Sequence, residues 1–196
     1  MTGLEYTILQ PWLNLCGKGR VYSGLGSHEE SLLSSPDSMT ELLEGIFKIE
    51  VEVSPVIRER RLMDRQSAVY LQAQEGGEAL ARAVWIKAEK KPLIYAFSLI
   101  PVESVEQGLL AILEGQDPEP IGRTLNRNAI PFSKKNMEAG VIRCAAVAEG
   151  LHLPVENAFF ARRYVLSGER AGEVAIKAAI IEVFSPELIS TESIKA

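Results

Sequence analysis

With 196 residues, 46% of them hydrophobic and 24% charged, the chain has the length of one domain and the composition of a globular protein. A formal net charge of -5 excludes a nucleic-acid binder built on a basic surface, and no apolar run approaches the roughly 18 residues of a membrane span. Cys16 and Cys144 lie outside any CxxC spacing and no secretory leader is visible, so reduced thiols in the cytoplasm are expected.

Residues 1–36 read as an N-terminal arm (Trp12, Leu13, Leu15) followed by a loose Gly/Ser-rich loop over 17–36, ending at Pro36. The domain proper is expected over 37–190, with a short tail at 191–196. It opens with a helix, because Ser38-Met39-Thr40-Glu41 has capping-box spacing and Leu42, Leu43, Ile46 and Phe47 follow at helical intervals. Ile49, Val51 and Val53 alternate with Lys48, Glu50 and Glu52, the pattern of a half-buried strand. The basic run Arg58-Glu59-Arg60-Arg61 contains its own acid and reads as a solvated loop or strand end.

Residues 79–101 read as a hairpin, with a polar turn at Glu89-Lys90-Lys91-Pro92. A second capping box at Ser104-Val105-Glu106-Gln107 starts a helix that Gly115 stops. Residues 136–150 fit helix and strand equally. Two late strands, about 159–167 and 173–184, flank Ser167-Gly168. Hairpins without regular β-helix-β alternation predict an α+β fold: a single-domain antiparallel sheet carrying helices.

Two charges interrupt apolar faces. Period-two alternation puts Glu182 on one face with Val174, Ile176, Ala178, Ile180 and Phe184, and Arg82 with Val84, Ile86 and Ala88. An unpaired carboxylate there costs several kcal/mol or titrates higher than usual. Either the two residues pair with each other or reach water at strand ends, or they grip a small hydroxylated acid, the arginine holding its carboxylate and the glutamate its hydroxyl. His28 and His152 lack acidic or cysteine partners at ligand spacing, so no metal site is expected.

Four short motifs, in order, resemble the chorismate lyase family, including the branch of cyanobacteria and plastids. They are Asp37-Ser38-Met39-Thr40; Arg82-Ala83-Val84 with the closing Ile100-Pro101; Pro120-Ile121-Gly122-Arg123; and Leu166-Ser167-Gly168 with Ile181-Glu182-Val183-Phe184-Ser185-Pro186. They span about three quarters of the chain. The resemblance implies helices covering an enclosed pocket. Arg82 would bind the ring carboxylate with help from the Ile121 backbone amide, Glu182 would contact the ring hydroxyl, and Met39 would line the wall.

It further implies a monomeric, cofactor-free enzyme that eliminates pyruvate from chorismate to leave 4-hydroxybenzoate, with Arg82 and Glu182 as its catalytic groups. Quinone biosynthesis, plastoquinone included, is the implied destination, and neither nucleic acid nor membrane is an expected partner. The alternative is a non-catalytic binder of aromatic carboxylates, since effector domains of some bacterial transcription regulators resemble the same fold. Two departures stand out. The second arginine of the best-known branch is Phe97 here, with Arg123, or Arg162 and Arg163, as substitutes for its charge. The segment between Ser167-Gly168 and Glu182 is also several residues longer than in that branch.

Overall fold

The computed structural model describes residues 4–15, 22, 24–48, 50–115 and 119–193. Seven strands make one sheet: β1 (Thr7–Asn14), β2 (Val51–Leu62), β3 (Glu78–Ala88), β4 (Lys91–Pro101), β5 (Phe132–Arg143), β6 (Ala158–Arg170) and β7 (Glu173–Phe184). Their spatial order is β1-β5-β6-β7-β4-β3-β2, and every neighbouring pair is antiparallel. The α-helices among the described residues are α1 (Ser27–Ser34), α2 (Met39–Phe47), α3 (Arg65–Leu71), α4 (Gln107–Glu114), α5 (Ile121–Arg127) and α6 (Ala145–Gly150). This is the expected α+β class. No helix among the described residues is long and apolar enough to cross a membrane.

Local chemistry accounts for the turns. Glu89 and Lys90 both take positive φ (49° and 69°), making the β3–β4 connection a two-residue turn that matches the strand twist. Lys91 and Pro92, expected in that turn, already belong to β4. The β6–β7 turn falls at Ala171-Gly172 (φ 52° and 85°), not at Ser167-Gly168. Gly168 lies inside β6, where a Cβ would come within 2.9 Å of the Ile176 side chain.

The capping boxes predicted the helices better than their caps. α2 begins at Met39 as expected, but the Ser38 hydroxyl meets the Thr40 hydroxyl at 2.9 Å and caps no backbone amide. α4 starts at Gln107, two residues later than the second box implies, after a 3-10 turn at Val102–Ser104, and Gly115 ends it. The ambiguous stretch 136–150 is both forms in succession, the end of β5 and then α6. β2 runs 12 residues, takes in the basic run at its end, and bulges between Pro55 and Ile57; Ile49 lies outside the described residues.

The sheet buries both faces. On one, Ala83, Trp85, Tyr95, Phe97, Ile181 and Val183 pack with Ala68 and Leu71 of α3 and Val147 and Ala148 of α6. On the other, two separate clusters form. Leu32, Leu33, Met39 and Leu43 of α1 and α2 cover Ile86, Ile94 and Phe184, while Leu109, Leu113, Ile121 and Leu125 of α4 and α5 cover Leu80, Ile176 and Ile180. The gap between these clusters holds the site.

The N-terminal region is part of this frame. β1 is an edge strand paired with β5, and residues 27–34, expected as loop, are helical with Leu32 and Leu33 fully buried. Deleting residues 1–36 therefore removes an edge strand and two core leucines, each worth about 2–5 kcal/mol. The truncated chain should lose its cooperative thermal transition by circular dichroism, and an unchanged melting temperature would show that the arm is dispensable.

Candidate ligand pocket

Antiparallel register lines up the pocket floor. Arg82 of β3 stands opposite Ser98 of β4, Ser98 opposite Ile180 of β7, and Ile180 opposite Tyr164 of β6. One step along, Val84 faces Ala96, Ala96 faces Glu182, and Glu182 faces Arg162. Side chains of both rows share a face, so the sheet presents an arginine at one side and a carboxylate two strands away. At the usual strand spacing that is a backbone separation of about 10 Å.

The starts of α2 and α5 roof these rows. Gly122 permits their approach, since a Cβ there would lie 3.1 Å from the Ser38 hydroxyl oxygen. An Arg123–Glu44 ion pair ties the same two helices together. The partly enclosed pocket beneath them is lined by Ser38, Met39, Thr40, Arg82, Val84, Ile86, Ala96, Ser98, Glu119, Ile121, Phe132, Lys134, Tyr164, Leu166, Ile180 and Glu182, among others. Its wall is mostly apolar with a few polar groups, the usual make-up of a small-molecule site.

Arg82 and Glu182 are not each other's partners. Arg82, only 6% exposed, donates from Nη2 to the Glu119 carbonyl at 3.0 Å, its one hydrogen bond through the guanidinium among the described residues. Burial pulls this guanidinium down to about 10, the neighbouring Arg58 adds to the effect, and Glu119 opposes it. The Glu119 carboxylate itself is held by the Thr124 hydroxyl and by Arg127. Arg82 thus carries a buried charge that no carboxylate among the described residues pairs with, Glu119 acting on it only at longer range.

Glu182 is buried, and each of its oxygens accepts one hydrogen bond. Its Oε2 accepts from Arg162 Nε at 2.5 Å and its Oε1 from the Tyr164 hydroxyl at 3.1 Å. Burial alone would raise its carboxyl. The charges of Arg162 and Lys134, with the hydrogen bonds from Arg162 and Tyr164, outweigh burial and hold it below the usual carboxylate range. The upward shift expected from its apolar face is thus corrected, because the sheet supplies a cation directly opposite. Arg162, itself completely buried, also donates from Nη1 to the carbonyls of Leu32 (2.9 Å), Leu33 (3.3 Å) and Ser35 (3.0 Å) at the end of α1.

All four residues singled out from sequence line this one cavity: Met39 and Ile121 in the roof, Arg82 and Glu182 in the floor. Ile121 opens α5, so its N–H has no acceptor within the helix. The proposed substitutes for a second arginine do not line it. Arg123 pairs with Glu44, Arg162 with Glu182, and Arg163 with Glu138 at 2.7 Å. The Phe97 ring packs in the core of the opposite face, and Ala96 and Ser98 are the floor positions of β4.

The cation missed from sequence is Lys134. It donates to the carbonyls of Asp37 (2.6 Å) and Ser35 (3.4 Å) and lies 4.9 Å from the centre of the Tyr164 ring. Burial, then the charge of Arg162, bring it down to about 8, against the pull of Glu182 and Asp37. Period-two spacing from Phe132 to Lys134 was its only sequence signal, and the bulge after Lys135 obscured the strand.

Solved structures of similar architecture include domains of bacterial transcriptional regulators. The effector domain of PhnF from Mycobacterium smegmatis aligns at a TM-score of 0.62 and 14% identity, covering 77% of this chain and 90% of that one. The longer PhnF structure from M. smegmatis gives 0.60 at 15%, covering 76% and 64%. A GntR-family transcriptional regulator from Bacillus cereus gives 0.56 at 15%, covering 74% and 99%. At such identities the likeness concerns the fold alone. Comparison with curated proteins gives no match. The family model described as "Chorismate pyruvate-lyase Rv2949c-like" matches residues 33–192, and the chain belongs to that family.

Proposed function

We propose that this protein is a chorismate lyase, converting chorismate to 4-hydroxybenzoate and pyruvate, with the aromatic product destined for quinone biosynthesis. One observation carries the reading: one apolar cavity holds a buried arginine that pairs with no carboxylate among the described residues at one side and an ionised glutamate at the other. A benzenoid acid with a para hydroxyl presents the complementary groups. Arg82 takes the ring carboxylate, the Ile121 amide adds a second donor, and Met39 packs on the ring. Glu182 accepts from the 4-hydroxyl.

In the elimination the C4 proton leaves, its electron pair completes the aromatic ring, and the C3–oxygen bond breaks. The departing enolpyruvate gains one proton at its methylene carbon to become pyruvate. Protons balance and no redox change occurs, so aromatisation drives the reaction. The chain's contribution is orientation in a dry cavity with fixed charges. A carboxylate held as firmly ionised as Glu182 is a weak base, so its assigned work is to position the hydroxyl.

Protein treated with a chelator and desalted should therefore still release 4-hydroxybenzoate and pyruvate in equal amounts from chorismate. Coupled pyruvate detection with chromatography of the acid checks this. Well-folded protein that binds 4-hydroxybenzoate without turning chorismate over would instead establish a ligand-binding domain.

A further inference from the structure

We infer that Lys134 receives the carboxylate of the enolpyruvyl group, making this pocket selective for a dianionic ring ether acid over the monoanionic aromatic product. The inference rests on reading the cavity as a chorismate site, and it follows from where the lysine stands. Lys134 lies over the Tyr164 ring, and the Tyr164 hydroxyl bonds Glu182, so the lysine flanks the glutamate side of the cavity. Arg82 stands two strands away. With the ring carboxylate on Arg82 and the 4-hydroxyl on Glu182, the ether oxygen at C3 is the hydroxyl's neighbour on the ring. Its carboxylate then falls on this same side.

Two cations occupy that region. Arg162 is committed through Nε to Glu182 and through Nη1 to the carbonyls of Leu32, Leu33 and Ser35, its remaining Nη2 is buried without a partner among the described residues, and it does not line the cavity. Lys134 does line it. Its ammonium has two carbonyl acceptors, Asp37 and Ser35, and three protons to donate, leaving one for a ligand. The exposed Lys135 beside it shows the ordinary solvent-facing alternative. The charged and titratable groups around Lys134 are Arg162, Glu182, Asp37 and Tyr164. With the lysine near 8, its charge wanes just above neutrality. Affinity for a second carboxylate should then fall roughly fourfold from pH 7 to 8.5, while a monocarboxylate is indifferent.

The test compares equilibrium binding of 4-hydroxybenzoate with that of 3-(carboxymethoxy)-4-hydroxybenzoate, an unreactive dicarboxylate of the substrate's shape, alongside chorismate kinetics. Wild-type protein should prefer the dicarboxylate by roughly tenfold or more. Lys134→Met should erase that preference and raise the chorismate KM by a similar factor, with 4-hydroxybenzoate affinity within about threefold of wild type. Lys134→Arg should restore the preference and abolish its decline above pH 7. Equal loss of both ligands, with a lower melting temperature in both Lys134→Met and Lys134→Gln, would show that the lysine only anchors residues 35–37 and overturn the inference. So would a wild-type protein without the preference. Preference lost on substitution, in a protein that never turns chorismate over, would keep the lysine site and discard the lyase reading.

Discussion

Arg82→Ala should all but abolish 4-hydroxybenzoate binding while leaving the protein folded. The guanidinium is buried and, among the described residues, makes a single hydrogen bond to a backbone carbonyl and leaves no paired carboxylate stranded. Truncating one side of a buried charge-assisted contact costs about 2–5 kcal/mol in ligand affinity, roughly 30-fold to several thousand-fold. Benzoate, which lacks the hydroxyl, should lose comparably, because the contact is to the carboxylate that both share. The melting temperature should hold or rise, since removing a desolvated charge with no paired counter-ion among the described residues relieves the fold. Titration calorimetry and a thermal melt on one preparation decide the matter. A large stability loss with intact affinity would reassign Arg82 to the framework, as an anchor for Glu119.

Glu182→Ala should do the reverse and cost stability first. It strands Arg162, which is completely buried and pairs with no other carboxylate among the described residues, and breaking one side of such a buried pair costs about 3–5 kcal/mol. Because Arg162 also holds the end of α1 through three carbonyls, the loss should spread to the cover of the pocket. Glu182→Gln keeps the shape and one acceptor, so it should fold better than the alanine variant yet lose the preference for 4-hydroxybenzoate over benzoate. The acid dependence provides a separate check. A carboxyl held below its unfolded value stabilises the fold fully at pH above about 4.5 and ceases to do so as pH falls through its lower folded value. The melting temperatures of wild type and Glu182→Gln should thus differ most near neutrality and converge only as the pH falls below 4.5 and through the lowered folded value. A double substitution, Glu182→Leu with Arg162→Met, should recover part of the single-variant loss, whereas Glu182 and Arg82 substitutions should add. Additivity between Glu182 and Arg162 instead would refute the pair.

Both outcomes turn on information the chain carries unevenly. Alternation along residues 174–184 and 82–88 was enough to mark Glu182 and Arg82 as charges on apolar faces. Turn residues and capping patterns located the β3–β4 hairpin, α2 and the end of α4. Those signals are local, resting on side-chain period and backbone dihedrals within a few residues, and so survive in a one-dimensional reading. The helix at 27–34 and the strand at 7–14 left weaker traces. Serines, glycines and mostly exposed positions dominate that region, and its order comes from pairing with β5 and from packing on the sheet.

Composition and periodicity by themselves determined the fold class, the acidic character, and two of the charges that define the pocket. Which charge meets which was decided by tertiary structure. With the turn at Ala171-Gly172, Arg170 opposes Glu173, and a strict ladder would set Arg162 against Ile181. The one-residue shift between Gly168 and Glu169 sets it against Glu182 instead. A similar irregularity between Lys135 and Glu138 accompanies the turn of Lys134 toward the pocket. A single extra residue in a strand reverses the facing of every side chain beyond it, because the side-chain period is two. No local pattern announces that residue; only the packed sheet selects it.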